Sequence, residues 1–249
     1  MSRYYTRVCN FYYGSRSKTL IKKSKSLPLN GNNLISFDEI EIISRKSIKK
    51  ISIKKINDLP DLVKKIVKKD IKLITKKKNF KNLNLKTLPK IMGVLNMTPD
   101  SFSDGGKYNK NYLAKKRLKY LFNSGANIVD IGGESTRPGS KSISSKIEWN
   151  RIKYILNKFN KKNFLSLDTR KSEIMEKGIN LGVAIINDVS GLNYDKNSIK
   201  VLKKYKIPFV LQHSLGNPDV MQNNPKYKNV LLDIYDFFEK KIEYLRING

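Results

Sequence analysis

The feature that most constrains this chain is a regular alternation that begins after Pro89. Five apolar runs, "IMGVL", "NIVDIG", "FLSLD", "VAIIND" and "FVLQH", are separated by stretches of helical spacing such as "NYLAKKRLKYLFNSG", "SKIEWNRIKYILNKF", "RKSEIMEKGINLG" and "NSIKVLKKYK". A short apolar run, a helix and a second such run make a βα repeat, and strands joined in this way pair in parallel. Each run closes on polar residues: Asn96, the segment 132–137, Asp168, Asn187 and His213. Polar groups gathered where parallel strands end are what the ligand face of a (β/α)8 barrel requires. The expected fold class is α/β, a barrel of this type but incomplete, with about five of the eight βα units, preceded by a small α+β N-terminal extension.

Charge divides the chain unevenly. The net charge is +30, and residues 1–90 hold 24 Lys+Arg against 6 Asp+Glu, so +18 of it (24 − 6) lies in the first third. The opening "MSRYYTRVCNFYYGSRSKTLIKKSKSLPLNGNN" is Ser-rich and basic, with Asp38 the first acid, in the manner of an organelle transit peptide, although its Tyr and Phe content is unusual for one. "LISFDEIEIISRK" alternates Ile with acids and reads as a strand, and "SIKKISIKKI" reads as a second; "LPDLVKKIVKKDIKLITKKK" repeats apolar residues at three and four and reads as an amphipathic helix. The boundaries that follow are 1–88 for a basic extension or small module, with 80–90 as linker, and 89–249 for the barrel part.

Such a charge raises the question of nucleic acid, since clustered Lys and Arg gain affinity by releasing phosphate counterions. Lys, Ile and Asn are abundant throughout, however, and no RNP, zinc-finger or helix-turn-helix signature accompanies the charge, so a solvated basic surface is the simpler reading. No apolar run reaches the roughly 18 to 20 residues of a membrane-spanning helix. A lone cysteine, Cys9, excludes an intramolecular disulfide and a Cys-rich zinc site, and fits a reducing compartment.

The polar strand ends carry the chemistry. In "IMGVLNMTPDSFSDGG", the Asn96 amide oxygen is a hard ligand suited to Mg2+; Thr98, Ser101, Ser103 and Asp104 supply hydroxyls and a carboxylate, and Gly105 and Gly106 allow the loop to move as a lid. "GGESTRPGS" places Thr136 and Arg137 between glycines, a hydroxyl and a planar guanidinium fit for phosphate; the competing reading is a surface loop in which Arg137 pairs with Glu134. Asp168 and Asn187 end the third and fourth runs, where a carboxylate and an amide can read the donor and acceptor edge of a heterocycle. Taken singly, strand-end Asp and Asn also serve as caps for the next helix.

From Pro89 onward the chain resembles dihydropteroate synthase, the folate-pathway enzyme, at "GVLNMTPDSFSDGG", "GGESTRPGS", "SLDTRK", "IINDVSG" and "LQHSLGNPDVMQNNPKY". The resemblance implies a TIM barrel and a transferase that joins 4-aminobenzoate to 6-hydroxymethyl-7,8-dihydropterin diphosphate, giving 7,8-dihydropteroate and diphosphate. It implies Asn96 as the Mg2+ ligand, Thr136 and Arg137 as diphosphate-loop residues, and Asp168 and Asn187 as ligands of the pterin edge. Phe102, Asp104 and Pro138 match positions on the two mobile loops that shape the aminobenzoate pocket, with Arg137 and Asp104 the residues assigned to catalysis.

Three further strands of the family have no counterpart here: those carrying its D-P-G-F-G-F, S-R-K-S and R-V-H-D motifs. Ser214 and Leu215 also stand where the family commonly shows Met-Gln. The expectation is therefore a truncated or split product, partial or inactive alone, served by a complementing C-terminal polypeptide, homodimeric when complete, and cytoplasmic. Two alternatives are weighed beside it. A pterin-binding methyltransferase shares the barrel and the Asp/Asn ligands but lacks the diphosphate that the "TPDSFSDGG" and "ESTRPG" loops serve, and a nucleic-acid-binding protein would use the basic first third.

Overall fold

The computed structural model describes residues 3–78, 90–98, 111–137, 139–159, 164–214 and 226–249. The chain divides into two compact units, Met1–Phe80 with Asn229–Leu232, and Lys81–Lys228 with Asp233–Gly249.

The first unit is an antiparallel sheet with helices. Strand β1 (Tyr5–Tyr13) leads into helix α1 (Gly14–Lys22), followed by β2 (Leu27–Leu29), β3 (Asn32–Ile43) and β4 (Ile48–Ser52), a 3-10 turn at Ile53–Asp58, and helix α2 (Asp61–Thr75). The long β3 pairs with β1, β2 and β4. The alternation of Ile with acids has its physical cause in this placement: Phe37, Ile40 and Ile42 are buried, and Val67 of α2 packs against them with Ile56 and Leu59. Glu39 and Glu41 instead meet Lys50 and Arg7 at the surface. The opening basic stretch therefore forms β1, α1 and β2, with its aromatic residues in a paired strand. "SIKKISIKKI" divides between β4 and the 3-10 turn because Ser52 ends the strand by accepting the Lys54 N–H. The expected linker, apart from Lys90, lies outside the described residues.

In the second unit β5 (Met92–Asn96), β6 (Ile128–Gly132), β7 (Leu165–Asp168), β8 (Ile185–Asp188) and β9 (Phe209–Leu211) form one parallel sheet. Between and after them run α3 (Asn111–Asn123), α4 (Ser145–Phe159), α5 (Ser172–Asn180), α6 (Ser198–Tyr205) and α7 (Val230–Ile247). The strand order is sequential, β5-β6-β7-β8-β9. A doubly wound sheet reverses its order at a switch point, whereas each strand of a (β/α)8 barrel is laid beside the one before it. The order seen here is the barrel's, and the described strands form an incomplete barrel of five.

The two faces of this sheet differ in chemistry. Leu95, Val129, Ile131, Leu165, Leu167 and Ile186 form one buried core with Ala114 and Leu118 of α3, Ile152, Ile155 and Leu156 of α4, and Ile174 and Met175 of α5. Fully burying one such leucine or isoleucine contributes about 1.5 to 3 kcal/mol, so this face holds the helices on the sheet. Because side chains alternate along a strand, the residues between them face the other way. Those residues are Val94 and Asn96, Asp130 and Gly132, Ser166 and Asp168, Ile185 and Asn187, and Val210. On the flanking strands Val94 is 50% exposed and Val210 39% exposed.

Candidate functional site

The register of the sheet brings the strand ends into one row. Asn96 pairs with Gly132, Gly132 with Asp168, and Asp168 with Asn187. Gly132 leaves a gap in the row: a Cβ there would lie 3.4 Å from both Asn96 Oδ1 and Asp168 Oδ2. Two oxygens thus face the space above a residue that has no side chain. Thr98, just past β5, is buried, and its hydroxyl has no hydrogen-bond partner among the described residues. Asp168 as a residue is only partly covered, yet its Oδ1 is sealed from solvent and also lacks a partner there.

Asp168 and Asn187 are not spent on capping the next helices. Helix α5 begins after Lys171, and the Ser172 N–H is taken by Asp195 Oδ2 at 2.8 Å. In the loop after β8, Asp188 accepts from the Ser190 N–H, the Ser190 hydroxyl and the Leu192 N–H. With neighbours in those structural roles, the strand-end pair is left to face the open side of the sheet. Burial pushes the Asp168 carboxyl well above the usual carboxylate range, and the charge of Asp130 pushes it further. A buried acceptor without a donor is costly unless something supplies the donor.

Beneath this row lies a second one, Val94, Asp130, Ser166 and Ile185, again set by the register. Asn187 Nδ2 donates to Asp130 Oδ2 at 2.9 Å, linking the two rows. Asp130 is buried, which raises its carboxyl, while the Ser166 hydroxyl and the Asn187 amide act in the opposite sense.

Beside the row, four charged residues hold two loops together. Glu134 accepts from Arg170 Nε through Oε2 at 2.8 Å and from the Ile143 N–H through Oε1 at 2.9 Å, and Lys171 Nζ lies 2.8 Å from that same Oε1 and 2.6 Å from Glu148 Oε2. Thr169 donates its hydroxyl to Glu148, and the Arg170 guanidinium stacks over the Tyr194 ring at 4.0 Å. Burial alone would raise the Glu134 carboxyl, but its bonds from Arg170, Lys171 and the Ile143 amide outweigh burial and hold it at about 2. For Glu148 burial wins, and the carboxyl is raised in spite of Lys171 and Thr169. Gly133 makes the close approach possible, since a Cβ there would stand 2.8 Å from the Glu148 carbonyl oxygen. Glu134 does not lie at the surface: it is buried, and its oxygens are engaged by Arg170 and Lys171.

Of the residues singled out in the sequence, Asn96, Asp168 and Asn187 share the strand-end row. Thr136 is partly covered and Arg137 exposed, in the loop that Glu134 anchors. Phe102, Asp104 and Pro138 lie outside the described residues, as do Ser101, Ser103 and Leu215. His213 is turned into an aromatic cluster, edge-on to Phe237 at 4.7 Å and near Tyr227. The sequence reading passed over Asp130, Glu148, Arg170 and Lys171, and gave Glu134 a surface partner in Arg137. Their signal was available: an Asp in the middle of the apolar run "NIVDIG", and a Glu at a core-facing position of "SKIEWNRIKYILNKF".

Sequential parallel strands with an amide, a carboxylate and a second amide across their ends define a barrel protein with its ligand face at the strand C-termini. Residues 92–249 match the pterin binding enzyme family, and the chain belongs to it. It is 40% identical over 172 residues to the dihydropteroate synthase of Clostridium beijerinckii, covering 68% of this chain and 61% of that protein. Among solved structures it resembles Yersinia pestis dihydropteroate synthase in a sulfonamide drug complex, at 36% identity and a TM-score of 0.62 over 65% of this chain and 59% of that one. Xanthomonas albilineans dihydropteroate synthase with 4-aminobenzoic acid is similar at 32% identity and a TM-score of 0.57, over 65% of this chain and 57% of that one. The chain spans 61%, 56% and 55% of the length of the first three curated relatives.

Proposed function

We propose that this chain supplies the pterin- and diphosphate-facing part of a dihydropteroate synthase. In the reaction, the C–O bond between the pterin methylene and diphosphate breaks and the aniline nitrogen of 4-aminobenzoate bonds to that carbon, losing one proton as the product forms. The observation that carries the reading is the row Asn96, Gly132, Asp168 and Asn187, with Asn96 Oδ1 and Asp168 Oδ2 facing the gap over Gly132 and the buried Asp168 Oδ1 without a partner among the described residues. A pterin ring offers N–H donors along one edge, and a carboxylate with an amide beside it matches that edge. Thr136 and Arg137 suit the departing diphosphate, a hydroxyl donor and a bidentate cation.

The donor set fits Mg2+ as an assisting ion, for Mg2+ takes one or two protein oxygens and completes its shell with phosphate and water. Asn96 would hold it, Oδ1 facing the gap over Gly132; when bound, the ion neutralises charge on the leaving diphosphate. We assign Phe102, Asp104 and Pro138 to the aminobenzoate side on the strength of their motifs alone.

The diphosphate loop favours the synthase over a methyltransferase acting on a pterin, as do the names of the relatives. Exposed Val94 and Val210 on the flanking strands suit cover by further βα units, so a complementing polypeptide is part of the proposal. No helix among the described residues is long and apolar enough to cross a membrane, and a cytoplasmic setting accords with that and with the lone free cysteine.

Calorimetry with a dihydropterin and with 4-aminobenzoate, separately, tests the assignment. Asp168→Ala should weaken pterin binding by about 1 to 3 kcal/mol, the cost of leaving buried donors unpaired, and spare aminobenzoate. Equal losses for the two ligands, or none, would contradict it.

A further inference from the structure

Asp130 has no place in the roles assigned above. It is a buried carboxylate in the middle of β6, one layer below the strand ends, and burial raises its carboxyl. An isolated buried carboxylate is expensive, and its value has to lie in what it holds. Besides the Ser166 hydroxyl, which acts to lower its carboxyl, what it holds among the described residues is an amide: Asn187 Nδ2 donates to Asp130 Oδ2 at 2.9 Å. An Asn side chain has two nearly isosteric orientations, differing in which end is donor and which is acceptor. A carboxylate acceptor beneath it selects one of them, because the flipped amide would turn its carbonyl oxygen against the carboxylate oxygen. We infer that Asp130 is a positioning residue, fixing the Asn187 amide with its NH2 group toward β6 so that Oδ1 is presented as an acceptor to a heterocycle edge at the strand ends.

The inference rests on the pterin reading for the identity of the heterocycle, but not for the orientation. The geometry around the pair supports it. Asp168, in register with Asn187, lines the same row, so a ligand edge would meet Asp168 and the Asn187 oxygen side by side. If the amide were free to flip, the row would alternate between two hydrogen-bond patterns, and a ligand would have to select the competent one on binding.

Two measurements on the full chain test this. The first needs no ligand: the side-chain NH2 signals of Asn187, assigned by their loss in Asn187→Ala, are followed by 15N NMR for exchange with solvent. Protection should fall tenfold or more in Asp130→Ala and by an intermediate amount in Asp130→Asn, whose neutral amide accepts in only one of its own orientations. Thermal melts verify that each variant is folded; Asp130→Asn, nearly isosteric, provides the test should Asp130→Ala fail to fold. Unchanged protection in folded variants would overturn the inference.

The second is a double-mutant cycle in the affinity for pteroic acid. Asp130→Ala should weaken binding at least tenfold in the native background and less than threefold in Asn187→Ala, since its effect passes through that amide. Equal losses in both backgrounds would mean that Asp130 acts by general support of the fold, and would overturn the role. Loss of amide protection with no pteroic acid binding by the native chain complemented with the later βα units would support the positioning and count against the pterin reading.

Discussion

Arg170 Nε donates to Glu134 Oε2 across 2.8 Å, tying the loop after β7 to the loop after β6 in a buried setting. The Glu134 carboxyl is held at about 2 against an ordinary 4.5. A lowered carboxyl contributes stability that is fully present above its unfolded value and is lost as pH falls through its folded value. The window is therefore from about 4.5 down to about 2. At about 1.4 kcal/mol per unit, the contribution is on the order of 3 kcal/mol, in line with the cost of breaking a buried ion pair from one side. Glu134→Gln should destabilise the fold by about that amount at pH 7, with the gap to the native protein closing toward pH 2. Urea titrations across this range check it; a gap independent of pH would remove the charge from the explanation.

Asn96→Ala removes the amide oxygen that faces the gap over Gly132. In a complemented, active protein, turnover should fall and the Mg2+ concentration needed for half-maximal rate should rise, because one protein ligand of the ion is gone. Normal turnover with an unchanged Mg2+ titration would sink this assignment.

Gly191 stands in the left-handed region, φ +61°, and a Cβ there would come within 2.4 Å of the Gln212 carbonyl oxygen. Backbone strain for a non-glycine residue costs about 1 to 2 kcal/mol, and the backbone contact adds to it. Gly191→Ala should therefore lower stability by about 2 kcal/mol or more, read as a drop of roughly 4 to 8 °C in Tm. A melt within 1 or 2 degrees of the native protein, with the fold intact, would show that the loop after β8 yields easily.

The barrel unit was legible because its two signals are local. Apolar runs of strand length and helices of regular spacing gave all five βα units, and the polar residues Asn96, Asp168 and Asn187 near the ends of β5, β7 and β8 marked the row that the register then aligned. What escaped was set by long-range pairing. Nothing adjacent to Glu134 announces Arg170 and Lys171 as partners, since they lie one βα unit away and meet it only after α4 has packed on the sheet. The same holds for Asp130, whose partner Asn187 is two strands distant. At the N-terminus the basic, Ser-rich composition carries no strand signal of its own, and Tyr5–Tyr13 becomes a strand by pairing with β3, because cross-strand contacts decide it.

The strand-end row of this chain is proposed to serve dihydropteroate synthesis. The most direct test is dihydropteroate formation from 6-hydroxymethyl-7,8-dihydropterin diphosphate, 4-aminobenzoate and Mg2+, using the purified chain alone and co-expressed with a polypeptide carrying the later βα units of a family member. Product is expected from the complemented protein, little or none from the chain alone, and loss of the complemented activity in Asp168→Ala. No product from a folded, associated complex, or an Asp168→Ala complex as active as the native one, would contradict it.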